Sequence, residues 1–355
     1  MDIAVDARNI GAPAGIGRYS RRLLENLEAI DPDNNYLVLT GVRWPTDWRP
    51  TSPKWTVEAV DFPDYSWAEQ TGLGKYLRAA GPDLTHFLMP QQPVGFHGPK
   101  VTTVHDFTML RPGGGLRRGV KRMLGGFVFK RAIADSRAVI AISEYTKGQA
   151  IAFAPAAADR VRVVYEAADD VSTDVEPCQV PFDDYLVYVG AHYEHKNLLR
   201  LVDAHQELLA ACPGLGLVFV GAAGPVERTQ DHVAATRARN THFTGVVPDA
   251  QRNWLYQHAR LAVMPSLAEG FGLPGLEAMI HRAPLASSNA TCLPEIYGDA
   301  PVYFDPLDTA AMATAIGSVL HDEASRAAMI ARGLARAAEF SWRRCAEETL
   351  AVYMG

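Results

Sequence analysis

Short runs of apolar, mostly β-branched residues recur along this chain of 355 residues, and stretches with helical periodicity separate them. The runs are Ile3 to Val5, Leu37 to Leu39, Val101 to Val104, Ala138 to Ile142, Val161 to Val164, Leu186 to Val189, Leu217 to Val220, Leu261 to Met264 and Pro284 to Ala286. Leu198 to Leu209, by contrast, has the 3.6-residue period of an amphipathic helix. Continuous apolar strands alternating with helices are typical of parallel sheets covered on both faces. The chain is therefore predicted to be an α/β protein.

The length is sufficient for two domains, and 48% apolar residues can supply two cores. The stretch from Glu166 to Asp184 breaks the alternation, with seven acids and two prolines. We interpret it as the junction and predict a first domain at 1–170, a linker at 171–184 and a second domain at 185–340.

Composition excludes several classes of protein. The net charge of −6, from 34 basic and 40 acidic residues, argues against a nucleic-acid-binding protein. The four cysteines are scattered without a C-x-x-C pair, which is typical of reduced thiols in a cytoplasmic protein. No signal peptide is evident, and no apolar run approaches the ~20 residues of a membrane span. We expect a soluble or surface-attached protein.

A glycine-rich segment holds two glutamates, Glu269 and Glu277, with seven residues between them. Pro274 predicts a helix start nearby, and the first-turn amides of a helix suit a phosphate. Gly270 and Gly272 let the backbone approach a ligand closely. Because carboxylates repel anions, we interpret both glutamates as holding hydroxyl groups. A ligand with a phosphate and hydroxyls is a sugar nucleotide.

Lys196 follows the strand at 185–189 through a short loop, and Asn197 begins an amphipathic helix. A lysine there can neutralise a diphosphate as its bond to a sugar breaks. The alternative is a solvated surface lysine. The loop also contains His192-x-x-His195, but zinc needs three or four ligands and no third is near in sequence, so no metal is expected.

Three motifs of the first domain follow predicted strands. Gly15-Ile16-Gly17-Arg18 permits close approach to a ligand, although the G-x-G-x-x-G spacing is absent and a plain tight turn is the alternative. His105-Asp106 ends a strand at the ligand-binding edge, where a core histidine is the alternative. Ser143-Glu144 ends another strand, and Ser143 could simply cap a helix.

Residues 116–131 contain six basic residues and an apolar set at Leu116, Val120, Leu124 and Phe127. A basic amphipathic helix can lie on an anionic membrane, and the alternative is a helix with one core face and one solvated face.

Together, Gly15-Ile16-Gly17, His105-Asp106, Ser143-Glu144, Gly190 with Lys196-Asn197, and EGFGLPGLEAM resemble the retaining GT-B glycosyltransferases of family 4, whose signature is E-x7-E. The resemblance covers essentially the whole chain. It implies two Rossmann-like domains facing a cleft, with the last helix, 341–355, packing back on the first domain.

The resemblance also implies metal-independent, same-face transfer of a hexose from a nucleotide-diphosphate sugar to a glycan, glycolipid or small molecule, without a cofactor. The segments HDFTMLRP and HKNL look most like bacterial mannosyltransferases, which favours GDP-mannose. The implied catalytic residues are His105, Lys196 and Glu269. The implied donor-binding residues are Gly15, Gly17, Gly190, Lys196, Ser266, Glu269, Gly270, Phe271, Gly272, Leu273 and Glu277. The implied acceptor-side residues are Arg18, Ser143 and Glu144.

One position departs from the family pattern. The family usually has an arginine after the strand-end glycine, and this chain has Ala191 and His192 there. His192 or His195 could supply the missing donor.

Three other functions would account for part of this pattern. A glycoside hydrolase would use Glu269 and Glu277 as its catalytic pair, but this leaves Lys196 and the anion site unexplained. A dinucleotide-dependent oxidoreductase requires the absent glycine fingerprint. A sugar-nucleotide-binding protein without catalysis is the third. The expected location is the cytoplasm, at the inner face of the membrane if residues 116–131 contact it.

Overall fold

The structure, a computed structural model, describes residues 1–12, 15–110, 116–169 and 174–355, with the backbone alone for 116–122. The described residues form two compact units. The first comprises Met1–Glu166 and Ser341–Gly355, and the second comprises Ala167–Phe340. Each unit is a parallel sheet flanked by helices, so the predicted α/β class is confirmed.

The first unit has a seven-stranded parallel sheet in the order β3-β2-β1-β4-β5-β6-β7. The strands are β1 (Asp2–Asp6), β2 (Asn35–Gly41), β3 (Trp55–Val60), β4 (Leu84–Phe87), β5 (Lys100–Val104), β6 (Ala138–Ala141) and β7 (Val161–Val163). The helices are α1 (Gly15–Ile30), α2 (Gly74–Ala80), α3 (Leu116–Asp135) and α4 (Glu144–Phe153). A π-helical turn, Ala68–Leu73, leads directly into α2.

The second unit has a six-stranded parallel sheet in the order β10-β9-β8-β11-β12-β13. The strands are β8 (Tyr185–Val189), β9 (Gly216–Val220), β10 (Thr241–Gly245), β11 (Leu261–Met264), β12 (Leu285–Ser288) and β13 (Val302–Phe304). The helices are α5 (Leu198–Leu208), α6 (Val226–Thr236), α7 (Asp249–His258), α8 (Leu273–Ile280), α9 (Leu293–Tyr297), α10 (Thr309–Leu320) and α11 (Glu323–Ala337).

The strand order reverses direction once in each sheet. The reversal lies between β1 and β4 in the first unit and between β8 and β11 in the second. In open parallel sheets, ligands bind outside the carboxyl ends of the strands at such a switch point. The topology therefore gives each unit one preferred ligand-binding edge.

The last helix, α12 (Trp342–Met354), belongs to the first unit and packs against α1. Its Tyr353 hydroxyl lies 2.6 Å from Nδ1 of His86 on β4, and Nε2 of His86 lies 2.8 Å from Thr103 Oγ1. Burial, together with the charge of His105, lowers the pKa of His86 to about 3, so this histidine is neutral. A neutral imidazole between two hydroxyls satisfies all three groups without placing a charge in the core.

The acid-rich junction has neither helix nor strand over its described residues 167–169 and 174–184, while 170–173 lie outside the described residues. Glu176 donates its backbone N–H to Ala250 on α7, 3.2 Å away. Residues 174–184 are thus part of the second unit, which begins at Ala167.

Helix α3 contains the basic segment 116–131, and the side chains of Leu116 and Val120 lie outside the described residues. Leu124 and Phe127 are exposed, as is Met123. The core is instead contacted by Phe129 and Ile133. Among the described residues, no helix has both the length and the hydropathy of a membrane span. The four cysteines are unpaired.

Candidate functional site

Two loops leave the switch point of the second sheet. One follows β8 and ends in a 3-10 turn, Glu194–Lys196, and the other follows β11 and leads into α8. Because β8 and β11 are hydrogen-bonded neighbours, both loops start at the same edge of the sheet. The main candidate residues predicted from the sequence lie in these two loops.

Lys196 and Glu269 form a nearly buried ion pair across this edge. Lys196 Nζ lies 2.7 Å and 2.9 Å from the two carboxylate oxygens of Glu269, and the side chains are 16% and 10% exposed. Ser266 Oγ donates to Glu269 Oε1 at 2.6 Å. An ammonium has three donors and no acceptor, so this geometry leaves Lys196 one N–H for an anion. The surface-lysine alternative is wrong, because this lysine is mostly buried.

Four further hydrogen bonds hold these two loops to each other and to the loops that follow β12 and β13. The Leu267 backbone N–H donates to the His195 carbonyl at 2.7 Å. Asn197 has φ +60° and donates its side-chain amide to the carbonyls of Pro265 and Pro306, at 3.0 Å and 2.7 Å. Thr291 Oγ1 accepts the Glu269 backbone N–H at 3.2 Å. Asn197 therefore clamps three loops, a role that the sequence, which marked it only as a helix start, did not reveal.

Helix α8 begins at Leu273, one residue before the predicted start at Pro274, because Gly272 adopts a left-handed conformation with φ +93°. A Cβ at Gly272 would lie 2.4 Å from the Tyr297 hydroxyl, which donates to the Gly272 carbonyl. Both the dihedral angle and the space thus require glycine. Glu277 is the fifth residue of α8. It therefore lies just beyond the first turn, whereas the sequence analysis placed it on the first turn.

Glu277 is buried beside Arg252 of α7. Its Oε2 lies 3.8 Å from Arg252 Nε, and Arg252 Nη1 donates to Asp249 at 2.7 Å. Arg252 Nε itself has no hydrogen-bond partner among the described residues. A carboxylate oxygen in this position is suited to accept hydrogen bonds from hydroxyl groups. Nothing in the sequence marked Arg252, because it lies 25 positions before Glu277.

That a loop histidine replaces the arginine of the family pattern stays a prediction, and Nε2 of buried His192 has no hydrogen-bond partner among the described residues. His192 is buried against Phe219 and Phe243, with Nδ1 3.1 Å from Thr229 Oγ1. Burial lowers its pKa, so it is neutral. His195 stacks on Tyr193. Among the described residues, no three histidine, cysteine or acidic side chains are grouped as metal ligands.

In the first unit, His105 follows β5 and is held through both ring nitrogens. Nδ1 lies 3.0 Å from Glu166 Oε1 and Nε2 lies 2.9 Å from the Leu88 carbonyl. Burial lowers the pKa of His105, but the hydrogen bond and charge of Glu166 outweigh burial and raise it. Since both partners are acceptors, the ring is an imidazolium that donates twice. Glu166 was assigned to the junction by sequence, so its part in this pair was missed.

This pair predicts a pH-dependent stability. Its contribution is complete below pH 6.5, the ordinary histidine value, and is lost as pH rises through the raised pKa of His105. We expect the thermal midpoint of the wild type to fall over that range more steeply than that of Glu166→Gln, which lacks the carboxylate charge. Scanning calorimetry at a series of pH values checks this. Parallel curves for the two proteins would contradict it.

The remaining motifs of the first unit have clear structural roles. Gly15 and Gly17 lie in the first turn of α1 rather than in a preceding loop. A Cβ at Gly17 would lie 2.0 Å from the Ala12 carbonyl oxygen, so this glycine lets the helix pack on its own entry loop. Arg18 is half-buried on the same turn.

Ser143 caps α4 by accepting the Thr146 backbone N–H at 3.1 Å. Glu144 forms an ion pair with Lys147 on the surface, at 3.1 Å. The capping alternative for Ser143 is thus what the structure shows.

Comparison with known proteins decides the family. The model of Glycosyltransferase Family 4 matches residues 13–171, and the model of Glycosyl transferases group 1 matches residues 183–322. O-antigen chain mannosyltransferase B of Escherichia coli is 30% identical over 285 residues, which are 73% of each chain. This chain is a family 4 glycosyltransferase. The enzyme is a hexosyltransferase with mannosyltransferases among its relatives.

Solved structures place the glycosyltransferase in the GT-B fold. Sucrose-phosphate synthase from Thermosynechococcus elongatus superimposes with a TM-score of 0.80 at 19% identity, over 100% of this chain and 98% of that one. Anabaena HepE, solved with UDP and glucose, gives a TM-score of 0.73 at 18% identity over 100% of both chains. The implied GT-B fold class, with two Rossmann-like parallel-sheet domains, is therefore confirmed.

Proposed function

We propose that the enzyme transfers a hexose from a nucleotide-diphosphate sugar to a glycan or lipid-linked acceptor with retention of anomeric configuration, and that GDP-mannose is the donor. The ion pair of Lys196 and Glu269 at the switch point is the observation that carries this proposal. An ammonium suited to a diphosphate and a carboxylate suited to sugar hydroxyls lie 2.7 Å apart, and Glu269 belongs to the loop that leads into α8 at Leu273. The mannosyltransferase relative favours mannose.

In this proposal the diphosphate lies against the backbone from Gly270 to Leu273, where the dipole of α8 and the remaining N–H of Lys196 stabilise its charge. Gly190 and Ser266 line the same edge of the sheet. Glu277 accepts the ribose hydroxyls, and Glu269 accepts a hydroxyl of the hexose. Lys196 and the helix supply the positive charge without a metal ion, so a chelator should leave turnover unchanged.

The chemical step exchanges one bond for another on the same face of the sugar. The bond from C1 to the phosphate oxygen breaks, and the acceptor oxygen forms the new bond to C1. The acceptor proton passes to the leaving phosphate oxygen, so no covalent glycosyl-enzyme forms. Lys196 stabilises the charge that develops on that phosphate. The imidazolium of His105 is proposed to orient the transferred sugar, and Arg18, Ser143 and Glu144 are proposed to lie on the acceptor side.

The test is a donor screen followed by product analysis. Thermal stabilisation by GDP, UDP and dTDP sugars identifies the nucleotide, and proton NMR of the product reports the anomeric configuration. We expect the largest stabilisation with GDP-mannose and an α-linked product. A β-linked product would contradict retention, and hydrolysis of unactivated glycosides would favour the hydrolase alternative.

We also propose that α3 brings the enzyme to the inner face of an anionic membrane. Met123, Leu124 and Phe127 are exposed on this helix, and the segment 116–131 contains six basic residues and no acidic one. Co-sedimentation with vesicles of anionic lipid should exceed that with zwitterionic vesicles, and Leu124→Asp should reduce it. Equal sedimentation of both proteins with both vesicles would contradict membrane contact.

A further inference from the structure

The switch point of the first sheet carries side chains that the donor chemistry does not use. Arg8 follows β1, Tyr65 lies after β3, and Gln91 follows β4. The segments bearing Tyr65 and Gln91 are joined by hydrogen bonds from the Gln70 amide to the Gln92 carbonyl and from the Val94 N–H to Gln70. These groups therefore form one surface at the preferred ligand edge of this unit.

Tyr65 is held in a backbone conformation that tyrosine rarely adopts. Its φ is +59°, in the left-handed region. Glu69 Oε2 accepts its N–H at 2.9 Å, and its hydroxyl receives the Gln91 amide and lies 3.3 Å from Met109 Sδ. Despite these anchors, the residue is 52% exposed. Strained conformations are maintained mainly where function uses them, so the position of this exposed ring requires an explanation.

Carboxylates outnumber cations below Tyr65. Arg8 is buried and donates to both oxygens of Asp6, at 2.8 Å and 2.9 Å, and to Glu69 at 2.9 Å. Asp64, which is partly exposed, lies 3.7 Å from the same guanidinium. Three carboxylates thus share one arginine. Asp6 and Glu69 are buried, so Asp64 is the carboxylate that a ligand can reach, and the excess of carboxylates over Arg8 disfavours an anionic ligand.

Two further features point to a ligand rather than to packing alone. Gln91 is 7% exposed, and its Oε1 has no hydrogen-bond partner among the described residues, although its Nε2 meets the Tyr65 hydroxyl. A buried acceptor without a donor is costly and is rare in native proteins. Trp67, two residues after Tyr65, is 83% exposed. The region therefore combines one buried acceptor without a partner, the partly exposed carboxylate of Asp64 and two exposed aromatic rings.

We propose that Asp64, Tyr65, Trp67 and Gln91 form a subsite for an uncharged sugar unit of the acceptor, given the transferase function inferred above. A pyranose has an apolar C–H face, which packs on aromatic rings, and hydroxyl groups around its edge, which donate to carboxylate and amide oxygens. The excess of acidic groups selects neutral sugars over phosphorylated ones. The strain at Tyr65 keeps its ring at this surface.

Tyr65→Gly is the decisive variant, because glycine adopts a φ of +59° without strain. We expect its thermal midpoint to equal or exceed that of the wild type, whereas the acceptor KM rises at least about tenfold, equivalent to about 1.4 kcal/mol. Asp64→Asn should raise the acceptor KM as well, with donor KM unchanged. Asp61→Asn, an exposed carboxylate three residues away, is the matched control and should change neither constant.

The two probes are octyl mannoside, a neutral acceptor, and its 6-phosphate. An unchanged acceptor KM in both Tyr65→Gly and Asp64→Asn would overturn the subsite, as would a preference for the phosphorylated probe. If the wild type shows no turnover of any nucleotide sugar, the result would instead count against the proposed function. Titration with octyl mannoside, monitored by the fluorescence of exposed Trp67, would then test the subsite by itself. Quenching in the wild type but not in Tyr65→Gly would support the subsite. Absence of quenching in the wild type would overturn it.

Discussion

Lys196→Ala is expected to lower kcat by about 10²- to 10³-fold, the effect of removing one preorganised group that stabilises developing charge. The reason is the position of its ammonium group, 2.7 Å from Glu269, which belongs to the loop that leads into α8. Steady-state release of the nucleoside diphosphate measures the effect. Arg343→Ala is the control, because Arg343 also forms an ion pair with a glutamate, Glu347, at 2.9 Å, but on the exposed surface of α12.

The Lys196 variant also leaves Glu269 without its cation, which destabilises the fold. The double variant Lys196→Ala/Glu269→Ala removes both charges and should recover most of the thermal midpoint while staying inactive. This separates catalysis from folding. Wild-type kcat in Lys196→Ala, or recovery of kcat together with stability in the double variant, would contradict a phosphate role for Lys196.

Glu277→Ala is expected to weaken nucleotide binding by roughly 10- to 150-fold, because hydrogen bonds to a charged group contribute about 1.5–3 kcal/mol. Calorimetric titration with GDP measures this change. The 2′,3′-dideoxy form of the same nucleotide should bind the wild type as weakly as GDP binds the variant. The dideoxy nucleotide and GDP should bind Glu277→Ala with equal affinity, because the variant has already lost the ribose contact.

Glu323→Ala provides a control matched in geometry. Glu323 lies 3.8 Å from Arg326, the same separation as Glu277 and Arg252, but its side chain is exposed at the start of α11. Its substitution should leave GDP affinity unchanged. Equal affinity of wild type and Glu277→Ala for GDP would remove the ribose role.

The features that sequence predicted are those encoded locally. Each of the nine apolar runs overlaps a strand, and all of these strands except β7 lie inside a sheet, where a strand buried on both faces needs an uninterrupted apolar segment. The start of α8 was predicted to within one residue, since Pro274 favours the first turn of a helix. Lys196 and Glu269 were assigned to one site because both follow strands, and in the structure these two strands, β8 and β11, are adjacent.

The features that sequence did not predict depend on distant partners. Strand β4 was missed because Thr85 and His86 interrupt its apolar pattern, yet both are fully buried. His86 is tolerated there because it is neutral and bonded to Tyr353, 267 positions away. Glu166 was read as part of an acidic junction because its partner, His105, is 61 positions earlier.

Three edge strands, β3, β10 and β13, were missed for a different reason. Strands β3 and β10 lie at the outer edges of their sheets and are only partly buried, so their sequences lack a continuous apolar run. Strand β13, also at an edge, has only three residues. In each case the neighbouring strand, rather than local hydropathy, fixes the conformation.

Hydrogen exchange with bound nucleotide tests the central claim most directly, namely that the diphosphate is held where α8 begins, beside Lys196. We expect GDP to slow exchange of the amides from Gly270 to Leu273 and of those around Lys196, whereas guanosine, which lacks the diphosphate, leaves them unchanged. Protection by GDP that is confined to other segments, or equal protection by guanosine, would contradict the site.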